Sequence, residues 1–320
     1  MDKDQSEMQN IGFFGVFKET FKAIFSWKKI FAQITVTFIL PLSFVFFAHI
    51  IFGDILKWGM AEEEFIEDPY YHHKDEWSRW VGYWVFKILY MTFFFLFYLL
   101  STAAIVYTIA NVYTGSDVTF KKVVKIVPKV WKRLAFTFVW SYVCFFIYNA
   151  VCGIALFFWA SIMSETTFDI IVFWVMFLLY GIGFVYITAV WQLASVVSVL
   201  ESSYGWGAMK KGNALIRGKR WLSWFVFFAL YFIFVVILIV FYICLWNYTN
   251  YSLIIAIVCL FLLTILFLVA YVAQTMLYLV CKSHHGESID KVGLSTQLEG
   301  YLDQTEPVSY ENRDIELGRT

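Results

Sequence analysis

Long hydrophobic runs separated by short polar segments dominate the sequence. Six of these runs reach the roughly 20 residues that a helix needs to cross the hydrocarbon core of a bilayer. They cover approximately residues 31–53, 82–112, 134–160, 168–199, 221–246 and 252–281. The pattern predicts an all-α fold, a polytopic integral membrane bundle of six transmembrane helices.

A basic amphipathic segment that carries aromatic residues precedes every second run. The segments are Phe13 to Lys29, Phe120 to Arg133 and Met209 to Trp221. In the first two, apolar residues recur with the helical period while lysines occupy the opposite stripe. This pattern is typical of a helix that lies in the membrane interface. We therefore expect about three interfacial amphipathic helices, and a threefold repeat in which each one precedes a hairpin of two spans.

Glycines and prolines predict irregular backbone at particular places. Gly205, Gly207, Gly212 and Gly218 interrupt the stretch from Glu201 to Gly218, which leads into the third segment, and each glycine weakens a helix by up to about 1 kcal/mol. We expect a turn after the fourth span, a short helix over about 206–217, and a turn at Gly218. Because proline lacks a backbone donor, Pro41 predicts a kink in the first span, and Pro128 predicts a bend or break in the second segment.

The composition agrees with a membrane domain. The chain is 61% hydrophobic and only 15% charged, whereas soluble domains carry about 25% charged residues. A polar N-terminus of residues 1–12 and an acidic tail of residues 286–320 flank the predicted transmembrane domain of residues 13–285. Both flanks are predicted to be disordered, and the tail is a candidate for binding a protein partner.

Charge alternates between the loops. Lysines and arginines cluster before the first span, between the second and third, and between the fourth and fifth, whereas the loop at about 53–81 is rich in acids. Basic loops face the cytosol in most membrane proteins. Both termini are therefore predicted to be cytosolic, in a secretory-pathway membrane such as the endoplasmic reticulum or the plasma membrane.

The candidate site lies at the third segment. Glu201 ends the fourth span close to several cations, and two interpretations stay open: a salt bridge that locks the elbow, or part of an anionic-lipid headgroup or substrate site. The candidate residues there are Glu201, Lys210, Lys211, Arg217, Lys219 and Arg220. Further interfacial cations, which either anchor the helices or bind headgroups, are Lys28, Lys29, Lys132 and Arg133.

Catalytic motifs are missing from the sequence. It contains no zinc-protease, P-loop, nucleophile-elbow or dinucleotide-binding pattern. The pairs His72–His73 and His284–His285 are poor metal sites because adjacent residues rarely converge on one ion. No enzyme activity, cofactor or metal is therefore expected. A nucleic-acid partner is not expected either, since the cations lie beside spans rather than on a soluble domain.

The stretch from Val196 to Lys219, with Glu201 at the end of a span and an elbow running from Ala208 to Gly218, resembles a known pattern. It is similar to a plant family of uncharacterised six-span membrane proteins. More distantly, it resembles the membrane domain of bacterial glycerophosphodiester phosphodiesterases. The Trp131-Lys132-Arg133 loop and the exit from Cys281 to His285 also resemble the plant family. The resemblance implies a six-helix topology and no particular activity.

Three functions are compatible with these features. The first is a membrane protein without a catalytic site that acts as a scaffold, lipid organiser or trafficking adaptor and interacts with membrane lipids. The alternative is a transporter or channel for a lipid or small hydrophobic solute, which a continuous cavity lined by Gln192, Glu201 and Gln274 would favour. The third, a membrane-embedded enzyme, lacks the convergent histidines and acids that it needs.

Overall fold

The regular secondary structure of the described residues is entirely helical. The computed structural model describes residues 8–63, 72–115, 118–162, 166–247 and 252–286, and it describes the side chains in these ranges except at 54–63, 72–79, 245–247 and 252. No strand occurs within these ranges, which confirms the predicted all-α class. Most of the predicted N-terminal and C-terminal flanks, residues 1–7 and 287–320, lie outside the described part of the chain.

The helices follow one another with short connections. In chain order they are α1 (Phe13–Ser26), α2 (Lys28–Ile34), a π-helical turn (Thr35–Ile39), α3 (Leu40–Glu63), α4 (His72–Thr114), α5 (Phe120–Ile162), α6 (Thr167–Leu200), α7 (Trp206–Ile216), α8 (Arg220–Asn247) and α9 (Ser252–His284).

Six stretches of these helices are long and apolar enough to cross a membrane, with mean hydropathies between 2.0 and 3.3. A helix needs only about 20 such residues to span a bilayer. The number of stretches agrees with the sequence prediction, and the chain is a multi-pass membrane protein. The stretches are Lys28–Gly53, Trp80–Thr114, Phe120–Ile162, Thr167–Leu200, Arg220–Cys244 and Leu253–His284.

The second amphipathic segment is not a separate interfacial helix, contrary to the expectation. Residues 120–133 form the first turns of α5, which runs unbroken through Pro128 for 43 residues. At about 1.5 Å per residue this helix is about twice as long as the hydrocarbon core is thick, so it extends beyond the membrane. The helix tolerates Pro128 because Val124, whose carbonyl loses its donor, is 41% exposed and that carbonyl can be solvated.

The first amphipathic segment does form a separate helix, and it has a third face that the sequence did not reveal. This face is buried and packs against α9; its residues are Val16, Glu19, Thr20 and Ala23. On the opposite side, Phe14 is 84% and Phe25 is 72% exposed. Lys18 and Lys22 are also exposed. Helix α1 is therefore fixed to the bundle while its aromatic and basic faces point away from it.

A π-helical turn lies directly before Pro41 in the first span. The Leu40 N–H donates to the carbonyl of Thr35, five residues earlier, directly before Pro41. A proline ring clashes with the carbonyl four residues before it. The wider turn changes the position of that carbonyl and bonds the backbone differently, so the span continues without a break.

The core of the bundle lies towards one end. We call this the basic end, because the lysines and arginines of 121–133 and 210–220 lie there. Helices α4, α6 and α9 end at this side of the bundle, and α5 and α8 begin there. Residues 193–200 of α6 and 271–281 of α9 are buried without interruption there. In contrast, none of residues 142–162 and none of residues 166–183 is buried. The α5–α6 hairpin therefore presents its far half to lipid.

The short helix α7 packs closely on the end of α6. A Cβ atom at Gly212 would lie 3.1 Å from the backbone nitrogen of Ala194 and 3.2 Å from the carbonyl oxygen of Val190. Backbone atoms of a buried helix cannot move aside as a flexible side chain can. Glycine at this position is therefore what allows the two helices to approach.

Gly212→Val is expected to destabilise the protein by about 1–3 kcal/mol, because the added atoms overfill the contact with α6. Gly207→Val is the matched control: it makes the same substitution in the same helix, but a Cβ at Gly207 has nothing within 4 Å. Thermal unfolding in detergent, followed by tryptophan fluorescence, measures both. Equal melting points for the two variants would contradict the close contact.

Candidate elbow site

The chain turns sharply between α6 and α7. Helix α6 ends at Leu200, and Glu201 is extended with φ −125° and ψ 169°. Gly205 then adopts a positive φ of 61°, and a Cβ there would lie 2.6 Å from the ring of Phe136. Its backbone N–H donates to Thr137 Oγ1 at 2.7 Å. The turn, the short helix Trp206–Ile216 and the following break agree with the prediction for this segment.

The carboxylate of Glu201 joins three helices. Its Oε2 lies 2.5 Å from Lys211 Nζ of α7, and its Oε1 lies 2.9 Å from Lys282 Nζ of α9. Tyr278, one turn before Lys282, donates its hydroxyl to Oε1 at 2.6 Å. Both oxygens are therefore occupied, and the side chain is only 11% exposed.

The backbone of Glu201 brings in a fourth helix. Arg133 of α5 donates from its guanidinium to the Glu201 carbonyl oxygen at 2.7 Å, and the same guanidinium lies 5.6 Å from the centre of the Tyr204 ring. This bond satisfies a carbonyl at a helix end, which lacks an intrahelical partner. We call Glu201, Lys211, Tyr278, Lys282 and Arg133 the elbow cluster.

The pKa of the Glu201 carboxyl is lowered from its ordinary value of 4.5. Burial by itself raises it, but hydrogen bonds from Lys211, Tyr278 and Lys282 and the charge of Lys282 outweigh that effect. Glu201 is therefore ionised near neutral pH. Its oxygens accept bonds from three side chains of α7 and α9, and we call this bridge between the helix ends the lock.

A family model matches the whole chain, including this elbow. The model of a domain of unknown function, DUF8558, matches residues 1–320 of the chain. The chain belongs to the DUF8558 family. Neither a curated protein nor a solved structure matches it. In this DUF8558 chain, the assignment of roles to residues therefore depends on the elbow geometry.

The other predicted site residues divide into two groups. Lys219 donates to the carbonyls of Gln9 at 2.8 Å and Ile11 at 3.3 Å, so it holds the chain that enters α1. The remaining predicted cations are exposed at the basic end: Lys28, Lys29, Lys132, Lys210, Arg217 and Arg220. The structure thus brings Glu201 together with Lys211 and Arg133, and it leaves Lys210 and Arg217 at the surface.

Two members of the cluster were missed at the sequence level. Tyr278 and Lys282 lie 77 and 81 residues after Glu201, on a span that sequence alone does not place beside α6. Their spacing offered a signal. Residues four apart share one helix face, so a tyrosine and a lysine at the basic end of the last span present a hydroxyl and a cation together.

The two histidines at the end of α9 contact the end of α7 and the turn that follows it. His285 Nε2 lies 3.1 Å from the carbonyl oxygen of Leu215, and His284 packs against Gly218. No group of three metal-ligating side chains occurs within the described residues. The side chains of the other predicted pair, His72 and His73, lie outside the described part of the chain.

Glu201→Gln is expected to destabilise the fold by about 2 kcal/mol, because it leaves two lysines without their counter-charge in a largely buried site. The cost stays below the roughly 3–5 kcal/mol of a fully buried pair because the lysines reach water. The control, Lys210→Gln, changes an exposed neighbour and is expected to alter stability by less than about 0.5 kcal/mol. Thermal unfolding midpoints measure both; similar shifts for the two variants would contradict the lock.

The stability that Glu201 contributes is expected to depend on pH. Because the folded pKa is lowered, the contribution is complete above the ordinary value of 4.5 and is lost as the pH falls through the folded pKa. The difference in melting point between wild type and Glu201→Gln should therefore stay constant from about pH 8 to about pH 5 and shrink at lower pH. A difference in melting point that grows as the pH falls would show that the ionised carboxylate does not stabilise the fold.

Proposed function

We propose that this DUF8558 protein is a non-catalytic membrane protein that gathers anionic lipid headgroups at its basic end and thereby organises lipid or supports a scaffold. In this proposal the basic end faces the cytosol, as the distribution of cations favours. The membrane is one of the secretory pathway, either the endoplasmic reticulum or the plasma membrane. The supporting observation is a surplus of exposed cations at that end after the elbow cluster is satisfied.

Among the described residues of the basic end, exposed cations outnumber acids, and both acids are largely buried. Among the described residues there, the carboxylates belong to Glu19, which is 4% exposed, and Glu201, which is paired. The exposed cations of the described chain at this end are Lys18, Lys22, Lys28, Lys29, Lys121, Lys122, Lys125, Lys132, Lys210, Arg217 and Arg220. A lysine or arginine near an anionic leaflet contributes about 1 kcal/mol to binding.

Exposed aromatic side chains lie among these cations. Trp221 is 76% exposed, Phe25 is 72%, Trp206 is 58% and Trp131 is 39%. Large aromatic rings are favoured at the boundary between headgroups and hydrocarbon. A surface that combines such rings with lysines and arginines binds anionic lipid by burial and by charge together. This combination favours a lipid surface over a soluble acidic partner.

The transporter alternative receives less support. A cavity that contains Gln192 and Gln274 does exist, but Glu201 is not among its lining residues. Its volume is about 140 Å³, whereas pockets for drug-sized molecules measure about 300–1,000 Å³. A pathway for a whole lipid would have to be considerably larger and would have to reach the elbow.

The kinship with the plant six-span family, and more distantly with the membrane domain of bacterial glycerophosphodiester phosphodiesterases, belongs to the same proposal. Its support is the sequence between Val196 and Lys219, in which a span ends in Glu201 and a glycine-containing elbow follows. In this chain that glutamate is bonded to Lys211 and Lys282. If the kinship holds, we expect relatives to keep the acid together with a cation on α7 or α9.

The test reverses exposed cations and leaves the elbow cluster intact. Lys210→Glu combined with Arg217→Glu is expected to lower the co-purified ratio of phosphatidylserine to phosphatidylcholine by about fivefold or more, since each cation contributes about 1 kcal/mol. The protein is reconstituted in mixed vesicles of the two lipids and re-extracted, and bound lipids are measured by mass spectrometry. Lys211 is unchanged because its loss would disturb the ion pair with Glu201.

Lys87→Glu is the matched control, since it reverses a cation on the far half of α4. Lys87 lies over the rings of Tyr83 and Trp84, away from the basic end. The lipid ratio should remain at the wild-type value in this variant. An unchanged ratio in the double variant, or an equal fall in the control, would remove headgroup binding at the basic end.

A further inference from the structure

A small cavity lies within the spanning part of the bundle, separate from the elbow cluster. Its volume is about 140 Å³, and residues of α3, α4, α6, α8 and α9 line it. Aromatic rings form much of the wall: Phe94, Tyr98, Phe234, Phe267 and Tyr271. The lining residues carry no charged side chain. The cavity is therefore suited to an uncharged molecule that contacts several aromatic rings.

Two amide side chains give this apolar cavity a polar side. The Tyr98 hydroxyl donates to Gln192 Oε1 at 3.2 Å, which uses the acceptor of that amide. Gln274 is 1% exposed, and its Nε2 has no hydrogen-bond partner among the described residues. A buried donor without a partner is costly, and lipid supplies no water to satisfy it. Nε2 itself has less than 1 Å² of accessible surface, so the amide has to turn towards the cavity to donate to a ligand. A ligand that supplies an acceptor oxygen would then remove this cost.

The depth of the cavity restricts the ligand further. Gln192 precedes Glu201 by nine residues and Gln274 precedes Lys282 by eight, so both amides lie about 12–14 Å along their helices from the elbow cluster. That distance is well inside a hydrocarbon core that is about 30 Å thick. A charged headgroup does not reach this depth without a large cost, whereas a neutral carbonyl or hydroxyl does.

We propose that this cavity binds an uncharged, benzene-sized ring that carries a carbonyl or hydroxyl oxygen and belongs to a lipid-soluble molecule. The ring packs among the aromatic side chains, and its oxygen accepts a hydrogen bond from Gln274. The size agrees for the ring, because an apolar cavity of about 150 Å³ admits benzene. The cavity is partly open, so substituents of the ring extend out of it. This site is independent of the headgroup surface at the basic end and needs none of its cations.

The test uses a matched pair of competitors. The probe is acetophenone that carries a diazirine, added to wild-type protein in nanodiscs, photoactivated and mapped by mass spectrometry. Labelling is expected in the α9 segment 266–274. At equal concentrations in the lipid, unlabelled acetophenone should compete about tenfold more strongly than ethylbenzene, which lacks the oxygen, because one hydrogen bond separates them.

Two variants test the polar side and the ring-binding part of the site separately. Gln274→Leu should remove the preference for acetophenone over ethylbenzene, and it should leave the apo-protein at least as stable because a buried donor without a partner is lost. Ala270→Phe, which fills the cavity, should abolish labelling of this segment. The control is Ile265→Phe, at a position on the same helix that is 46% exposed and does not line the cavity; its labelling should equal that of wild type.

Three results would overturn the proposal. Equal competition by acetophenone and ethylbenzene would show that Gln274 supplies no hydrogen bond. Labelling confined to residues that do not line the cavity, or labelling that survives Ala270→Phe, would show that the ring binds elsewhere or only partitions into lipid. The competition between the two unlabelled compounds uses wild-type protein, so it decides the question even where a variant does not fold.

Discussion

The carboxylate of Glu201 is the contact on which the basic end of the bundle depends. It bridges Lys211 of α7 and Lys282 of α9, while the carbonyl of the same residue accepts a bond from Arg133 of α5. One residue thus links four helices at the point where α6 leaves the core. A buried charge is tolerated only when it is paired and hydrogen-bonded. Glu201 is therefore buried only together with its partners, and this requirement fixes the positions of their helices around α6.

Lipid makes such contacts more important than they are in water. Helices in a bilayer gain no hydrophobic free energy by associating, so close packing and hydrogen bonds decide which helices meet. The far half of the α5–α6 hairpin follows this rule: Tyr148 donates to the carbonyl of Tyr180, and Tyr180 donates to Asn149, both at 2.7 Å. Near α7, Tyr186 donates to Asn213 Oδ1 at 2.5 Å. Polar residues that are sparse in the sequence therefore hold together spans that share few buried side chains.

Sequence predicted the features that depend on local pattern. The six spans follow from the length of the apolar runs, and the short α7 follows from its glycines and its amphipathic period. The extent of α5 could not be predicted, because Pro128 favours a break locally while buried neighbours such as Val127 hold the helix on the bundle. The Glu201–Lys211 pair lies within one segment and was among the predicted candidates. Lys282 and Tyr278 join it only through the packing of α9 on α6, and no local pattern specifies that packing.

The same two helices carry the elbow cluster and the cavity below it. Glu201 and Gln192 are both on or at the end of α6, and Lys282 and Gln274 are both on α9. The ion pair joins the ends of these helices, and residues 193–200 and 275–281, which lie between that pair and the amides, are all buried. The amides therefore lie about 12–14 Å from the charge contact along the same two helices. Because Glu201 is engaged in this contact, the proposed function assigns recognition of anionic lipid to the cations that the lock does not use.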